Sequence, residues 1–183
     1  MDVPVKWANR VELLKMLPKN SVGIELGVCW GTYSLKMVEI IQPSKLHLVD
    51  AWEVETAKSR VEEITDPQSK FDLKLRKVQQ RFGTNPKVKI HVGLTGVVVK
   101  EFADSYFDWI YVDADHSFEG ATADFNDYWP KLKSDGYLMA HDYSKQFDVM
   151  NVVHAFAKRP DVEIVGQTGD NPATCILQKV EDK

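Results

Sequence analysis

The chain has 183 residues, of which 44% are hydrophobic and 27% are charged, so we expect one domain over residues 1–183 with a sizeable core. Its formal net charge of −4 argues against nucleic-acid binding, and no apolar run approaches the roughly 18 residues that a membrane span needs. The two cysteines are too few for a disulfide framework and the N-terminus lacks the apolar region of a signal peptide, so we expect a cytoplasmic protein.

The N-terminal segment, residues 1–18, contains one predicted helix. Apolar residues lie at helical spacing between Val11 and Leu17, and Pro18 ends the pattern. We expect this helix to pack on the domain beside the first strand.

A glycine turn joins the first predicted strand to the second predicted helix. Val22–Leu26 is a short apolar run typical of a buried strand, and it stops at Gly27. Gly31 follows four residues later, and Thr32 and Ser34 begin a segment with helical spacing. Glycines let the backbone turn sharply, and a helix N-terminus presents free N–H groups to a small ligand. We therefore expect these two glycines and two hydroxyl residues to contact a bound cofactor.

The spacing of the glycines argues against the usual dinucleotide fingerprint. That fingerprint, G-x-G-x-x-G, requires glycine where Cys29 and Thr32 stand. Glu25 lies two residues before Gly27, and a carboxylate there is a poor neighbour for a pyrophosphate but a good one for an ammonium group. The motif E-L-G-x-x-x-G-T resembles the first motif of class I S-adenosylmethionine-dependent methyltransferases. The alternative is a strand–helix turn that binds no ligand.

The second predicted strand, Lys45–Asp50, ends in an acid. Ligands of doubly wound sheets bind at the carboxyl ends of the strands, and an acid about 20 residues after the glycine turn can accept hydrogen bonds from both ribose hydroxyls. Asp50 fits this role, although it could instead cap the next turn. Trp52 could stack on an adenine or belong to the core. The glycine turn and this acid together indicate a ligand that contains a nucleoside.

The middle of the chain contains a long polar segment. Residues 53–69, which include the charged stretch Glu53–Gln68, are a candidate lid over the site or a solvated connection. Helical spacing follows in Phe71–Phe82. Val88–Val92 alternates as the third strand, and we interpret His91 within it as a hydrogen-bonded sheet residue.

The second half of the chain alternates strands with helices and ends in a hairpin. The predicted strands are Phe107–Asp113, Gly136–Ala140, Val162–Val165 and Thr174–Gln178, and the predicted helices are Phe118–Leu132 and Val149–Phe156. The first of these strands is almost entirely apolar, which suits the buried centre of a parallel sheet. The pattern predicts an α/β protein with a Rossmann-like, doubly wound, seven-stranded sheet that is mostly parallel, has an antiparallel last strand and carries helices on both faces.

Acids and imidazoles follow the fourth and fifth predicted strands. The set comprises Asp113, Asp115, His116, His141 and Asp142. Because neighbouring parallel strands end at the same edge of a sheet, we expect these side chains to converge on the crevice that Gly27 and Asp50 also face. Buried charges are costly unless they are paired or bind a metal, so the set indicates a functional site.

The run FDWIYVDADHSFEGATADFNDYWPKLKSDGYLMAHDY carries a specific family resemblance. Its D-x-D-H-S-[FY]-E-G motif and the later H-D-Y resemble the small bacterial class I O-methyltransferases that include macrolide-sugar O-methyltransferases. The resemblance extends from Ser21 to Gln178. It implies that S-adenosylmethionine is the cofactor and that Asp113 helps to bind it. It also implies contact of the adenine edge with the position of Leu94, which offers only backbone and apolar contact.

The resemblance also implies a metal site. In related metal-dependent O-methyltransferases, a strand-end Asp and a second Asp on the next strand bind a divalent cation, and Asp113 and Asp142 occupy these places. Catechol-type enzymes carry an Asn where this chain has Tyr143, so a third ligand such as His141 is needed. Two carboxylates with water suit Mg²⁺, whereas a histidine ligand favours Mn²⁺ or a similar ion.

His116 is the predicted general base, and Asp113 is the second predicted catalytic residue. The offset of His116 is consistent with the histidine base of the sugar-directed group. The ordinary pKa of an imidazole, about 6.5, lies near working pH, so this group can take the proton of an acceptor hydroxyl while the oxygen attacks the sulfonium methyl. Alternatively, His116 is a helix-start residue that hydrogen-bonds to Asp115 or Asp142.

The predicted function is transfer of a methyl group from S-adenosylmethionine to a hydroxyl of a small molecule, such as a sugar. One alternative is an NAD-dependent oxidoreductase, which Asp50 would suit but Cys29, in place of a glycine, opposes. Another is a non-catalytic S-adenosylmethionine-binding module, because little chain remains for a substrate-specificity domain. Substrate choice would then rest on the N-terminal segment, the candidate lid or a neighbouring protomer of a homo-oligomer.

Overall fold

The structure is a computed structural model that describes residues 2–52 and 67–181. Most of the candidate lid, residues 53–69, lies outside these described residues. No helix within them is long and apolar enough to span a membrane.

Eight strands form one sheet in the described part of the chain. They are β1 (Val5–Trp7), β2 (Val22–Leu26), β3 (Lys45–Asp50), β4 (Val88–Val92), β5 (Phe107–Val112), β6 (Leu132–Tyr143), β7 (Val162–Thr168) and β8 (Ala173–Lys179). Their spatial order is β1-β7-β8-β6-β5-β2-β3-β4, and β8 is antiparallel to both of its neighbours while the other pairs are parallel. The predicted α/β class, the mostly parallel sheet and the antiparallel last strand are confirmed.

The prediction of seven strands was wrong, because β1 adds an eighth strand at the edge beside β7. This strand has three residues, and Val5 within it is 62% exposed. A strand that is short and solvent-facing needs no apolar run, so periodicity could not reveal it. Its backbone bonds to β7 tie the N-terminal segment to the opposite end of the chain.

Helices lie on both faces of the sheet. They are α1 (Arg10–Leu13), α2 (Thr32–Ile41), α3 (Pro67–Phe82), α4 (Thr95–Val98), α5 (Phe118–Tyr128) and α6 (Val149–Phe156). One core cluster joins the sheet to α4, α5 and α6, and a second joins it to α1, α2 and α3. The predicted helix Phe118–Leu132 was too long, because Pro130 follows α5 in a 3-10 turn and Leu132 already belongs to β6.

The central strand β5 shows why this sheet is buried on both faces. Trp109 and Tyr111 point into the cluster of α1, α2 and α3, whereas Ile110 and Val112 point into the other cluster. Gly23 on the neighbouring β2 leaves room for the Trp109 ring, because a Cβ there would lie 2.1 Å from it. Because β5 runs parallel to β2, the loop after β5 lies beside the turn after β2 at the carboxyl edge of the sheet.

Candidate active site

The glycine turn after β2 is held by close backbone contacts. Gly27 has a φ of 86°, and a Cβ there would lie 2.0 Å from the carbonyl oxygen of Asp113. Its N–H donates to the Val49 carbonyl at 2.9 Å. Cys29 has a φ of 53° and Gly31 a φ of 68°, so the turn passes through the left-handed region three times. The turn after β2 thus lies directly against the loop after β5.

Asp50 braces this turn from the end of β3. Its Oδ2 accepts hydrogen bonds from the backbone N–H groups of Val28, at 2.9 Å, and Cys29, at 2.8 Å. Its Oδ1 accepts the N–H of Trp52 at 2.8 Å. The Trp52 side chain is 4% exposed and donates its indole N–H to the Cys29 carbonyl at 3.0 Å, so it packs as core beneath the turn. Both residues that were expected to touch the nucleoside therefore also shape the turn.

The remaining predicted cofactor residues differ in their access to solvent. Glu25 is fully buried beneath the turn, and it accepts a hydrogen bond from the hydroxyl of Ser34, which is also buried. Burial raises the pKa of Glu25 to about 8. Thr32 is exposed at the start of α2, and Leu94 is 60% exposed two residues beyond β4. A ligand at this edge can contact Thr32 and Leu94 directly, whereas Glu25 and Ser34 are shielded by the turn above them.

Three of the eight residues of the D-A-D-H-S-F-E-G run have a structural role at the start of α5. Asp115 accepts the N–H of Ser117 at 2.9 Å, and the Ser117 hydroxyl caps the helix by accepting the N–H of Gly120 at 3.1 Å. A Cβ at Gly120 would lie 2.3 Å from the Asp115 carboxyl group, so glycine is required there. Asp113 and His116 are the two residues of the run that face the site.

Three of the predicted metal ligands come together at the ends of β5 and β6. Asp113, His141 and Asp142 each offer one ligand atom, and these atoms lie within 4.8 Å of one another. Burial and the charge of Asp142 raise the pKa of Asp113 to about 7. Two carboxylates and one imidazole fit Mn²⁺ better than Mg²⁺, because Mg²⁺ prefers oxygen ligands. Tyr143 points elsewhere, with its hydroxyl 2.7 Å from His154 Nε2.

Asp142 also orients His116. The Nδ1 atom of His116 lies 3.0 Å from Asp142 Oδ2, and 36% of the His116 side chain is exposed. With the Nδ1 proton donated to the carboxylate, the neutral ring keeps a lone pair on Nε2 that faces away from Asp142. This is the pairing of a base with a carboxylate that fixes its tautomer. Both interpretations of His116 remain compatible with this contact.

The tautomer of His141 follows from its neighbours. Arg10 NH1 lies 3.1 Å from His141 Nε2, and because arginine only donates, Nε2 must be the acceptor. Nδ1 then carries the proton and donates to the Thr174 hydroxyl at 3.0 Å. Burial lowers the pKa of His141 to about 4, which keeps the ring neutral. A neutral imidazole held through its second nitrogen is the form that binds metals.

Arg10 is the functional residue that sequence reasoning missed. It lies at the start of α1, and its guanidinium is 3.9 Å from Asp113 Oδ2 and 4.7 Å from the Tyr33 ring centre. Its contact with His141 joins positions 131 residues apart, so no local motif marks it. The N-terminal helix, expected only to pack beside the first strand, thus contributes a cation to the site.

Comparison with known proteins gives one family and several distant structures. The profile of a family described as a methyltransferase domain matches residues 24–143. No curated protein matches the sequence significantly. A Staphylococcus aureus protein, assigned provisionally as a caffeoyl-CoA O-methyltransferase, shares 18% identity over 97% of this chain and 86% of its own, with a TM-score of 0.67.

Two further solved structures share the fold. Fibrillarin from Aeropyrum pernix, solved with natively bound S-adenosylmethionine, shares 14% identity over 92% of this chain and 73% of its own, with a TM-score of 0.62. A methyltransferase from Geobacter sulfurreducens also shares 14% identity, over 93% of this chain and 78% of its own, with a TM-score of 0.64. At these identities the likeness is one of fold.

Proposed function

We propose that this chain, which belongs to the family described as a methyltransferase domain, transfers a methyl group from S-adenosylmethionine to a hydroxyl of a small molecule. The observation that carries the proposal is the contact between the two halves of the candidate site, one after β2 and β3 and one after β5 and β6. The turn braced by Asp50 lies against Asp113, and Asp113 lies beside the pair His116–Asp142. The proposed cofactor site and the proposed base therefore share one edge of the sheet.

The cofactor half is assigned to the residues around the glycine turn. We assign contacts with the ligand to Gly27, Gly31, Thr32 and the exposed Leu94. We assign one ribose hydroxyl to the remaining lone pair of Asp50 Oδ1, because backbone N–H groups occupy the other three acceptor sites of this carboxylate. Asp113 lies beside the position proposed for the methionine ammonium group, where a carboxylate is a favourable neighbour, and Glu25 and Ser34 lie buried beneath that position. The role proposed for Trp52 changes from stacking on adenine to bracing the turn, because its ring is buried.

The acceptor half is assigned to His116. The acceptor oxygen attacks the methyl carbon, the new O–C bond forms as the S–C bond breaks, and the hydroxyl proton moves to His116 Nε2. S-adenosylhomocysteine and the methyl ether are the products. Asp142 keeps the ring in the tautomer that can accept the proton, and the rest of the barrier reduction comes from holding the two reactants together.

Asp113, His141 and Asp142 are the residues that would hold a divalent cation, Mg²⁺ or, with the imidazole, Mn²⁺. Its chemistry there would be to polarise the acceptor hydroxyl and lower its pKa. A sugar or glycoside is the acceptor class suggested by the resemblance to macrolide-sugar O-methyltransferases. The family argues against the nicotinamide alternative, whereas a non-catalytic binding module is an outcome that experiment must separate.

The test is a calorimetric titration of the whole chain with S-adenosylhomocysteine. We expect micromolar binding to the wild type and binding about tenfold weaker, or about 1.4 kcal/mol, in Asp50→Ala. Asp104→Ala is the matched control, because this exposed carboxylate pairs with Lys131, away from the glycine turn. Absence of binding to the wild type would overturn the proposal, and binding without turnover on any hydroxylated acceptor would favour the non-catalytic module.

A further inference from the structure

A cation of the chain itself lies against the candidate metal ligands. Arg10 NH1 is 3.1 Å from His141 Nε2 and 3.9 Å from Asp113 Oδ2. Since the Nδ1 proton of His141 is donated to Thr174, Nε2 is the only ring atom with a lone pair to offer a metal ion. That lone pair accepts the hydrogen bond from Arg10. The guanidinium and a metal ion therefore need the same atom.

The main chain of Arg10 is fixed from three sides. The Asn9 side chain caps α1 by accepting the N–H groups of Val11 and Glu12, each at 3.0 Å. Asp170, in the turn between β7 and β8, accepts the Arg10 N–H at 3.0 Å, and the Tyr33 hydroxyl donates to the Arg10 carbonyl at 2.9 Å. The side chain is 36% exposed. The guanidinium can therefore move away from Asp113 and His141 while α1 stays in place.

Charge makes the two occupants mutually exclusive. Asp113 and Asp142 are like charges held close together in a partly buried site, which is unfavourable unless a cation offsets them. Arg10 supplies one such cation. A divalent ion at the same three ligands would supply another, and two cations a few ångströms apart repel strongly where water is scarce.

We propose that Arg10 is an internal competitor for the metal site, so that the N-terminal helix sets the affinity of the site for divalent cations. With no metal bound, the guanidinium neutralises Asp113 and engages His141. Metal binding displaces the guanidinium towards solvent, to which part of the Arg10 side chain is already exposed. The inference rests on the metal ligands named in the proposed function.

The experiment measures Mn²⁺ binding by the loss of the free-ion electron paramagnetic resonance signal, on the whole chain without cofactor or acceptor. Arg10→Gln removes the charge, and we expect its Kd for Mn²⁺ to be about tenfold lower than that of the wild type. Arg10→Lys keeps a cation and should stay within about threefold of the wild type. Lys15→Gln is the matched control, because it makes the same charge change close to α1 on an exposed side chain that pairs with Glu12.

The possible outcomes separate the two proposals. Asp142→Asn should lose Mn²⁺ binding, which tests the metal ligands themselves. If the wild type binds Mn²⁺ and Arg10→Gln binds it equally or more weakly while its thermal unfolding remains cooperative, the competition is wrong and the metal site stands. If Lys15→Gln tightens binding as much as Arg10→Gln, the effect is one of net charge and the competition is again wrong. If no variant binds Mn²⁺, both the metal ligands and the competition are overturned, while the cofactor titration still decides methyl transfer.

Discussion

The two halves of the candidate site are held by different chemical groups, one by the backbone and the other by side chains. The cofactor half, after β2 and β3, is held by backbone groups: three N–H groups converge on Asp50, and Gly27 lies against the main chain of Asp113. The acceptor half, after β5 and β6, is held by charged and imidazole side chains. His116 pairs with Asp142, and Arg10 donates a hydrogen bond to His141.

This difference separates what is fixed from what responds to the ligand. The turn around Asp50 is held by backbone N–H groups and by close main-chain contacts that need no ligand. The acceptor half balances Asp113, Asp142 and Arg10 against one another at the cost of desolvation. We therefore expect mutations in the first half to affect folding and cofactor affinity, and mutations in the second to affect chemistry and ion binding.

The largest effect is expected from His116→Ala. Removing a general base costs about 10²–10⁴-fold in turnover, or about 2.7–5.5 kcal/mol of transition-state stabilisation. Because the ring lies outside the cofactor half, affinity for S-adenosylhomocysteine should change by less than about twofold. Formation of S-adenosylhomocysteine in the presence of an accepted hydroxylated substrate measures the first quantity, and calorimetry measures the second.

His154→Ala provides the control for this measurement. His154 is a partly buried histidine on α6. It bonds to the Tyr143 hydroxyl and does not belong to the group of Asp113, His141 and Asp142. Its loss should leave turnover within about threefold of the wild type. Full turnover by His116→Ala would show that this residue only starts α5 and hydrogen-bonds to Asp142.

Gly27→Ala tests the backbone-built half. The added Cβ would lie 2.0 Å from the Asp113 carbonyl oxygen, at a φ that L side chains rarely adopt. We expect the free energy of unfolding, measured by urea denaturation, to fall by about 2–4 kcal/mol. Gly96→Ala is the matched control in α4, where the nearest atom is 3.6 Å from the new Cβ, and it should be neutral or stabilising by up to about 1 kcal/mol. Equal losses in both variants would contradict the account of the turn.

The sequence was sufficient to predict most of the fold because apolar runs and turn residues are local signals. Val22–Leu26, Lys45–Asp50 and Val88–Val92 are strands with the predicted bounds. The same reasoning brought Asp50 and Asp113 to one edge, since parallel strands end together. The edge strand β1 was not predicted, because a strand of three residues with an exposed valine shows no apolar periodicity.

For the acceptor half, the sequence predicted the residues, their convergence at one edge and, as an alternative, the contact between His116 and Asp142, but not the part played by Arg10. The positions of Asp113, His141 and Asp142 followed from strand ends, but the contacts among them depend on rotamers and charges that spacing does not encode. Arg10 approaches them because hydrogen bonds between its main chain and the side chains of Asp170 and Tyr33 hold the start of α1 beside the candidate site. These contacts link distant parts of the chain. Long-range side-chain contacts of this kind leave no trace in a local pattern.

Glu25, buried beneath the turn of the cofactor half, gives the smallest and most selective test. Burial raises its pKa from 4.5 to about 8, so the folded state binds this proton more tightly than the unfolded state does. The stabilising contribution is complete below about pH 4.5 and is lost as pH rises to about 8, so the free energy of unfolding should fall across this range. Asp113, with a pKa raised to about 7, adds to the same trend.

Glu25→Gln isolates this contribution, because the amide stays neutral and can still accept the hydrogen bond from Ser34. Between pH 5 and pH 8 the variant should lose about 1–3 kcal/mol less stability than the wild type, measured by urea denaturation without cofactor. Glu39→Gln, an exposed change on α2, should keep the wild-type slope. If Glu25→Gln also kept that slope, the carboxyl group would be ionised and solvated in solution, and the turn above it would be more open than the hydrogen bonds to Asp50 imply.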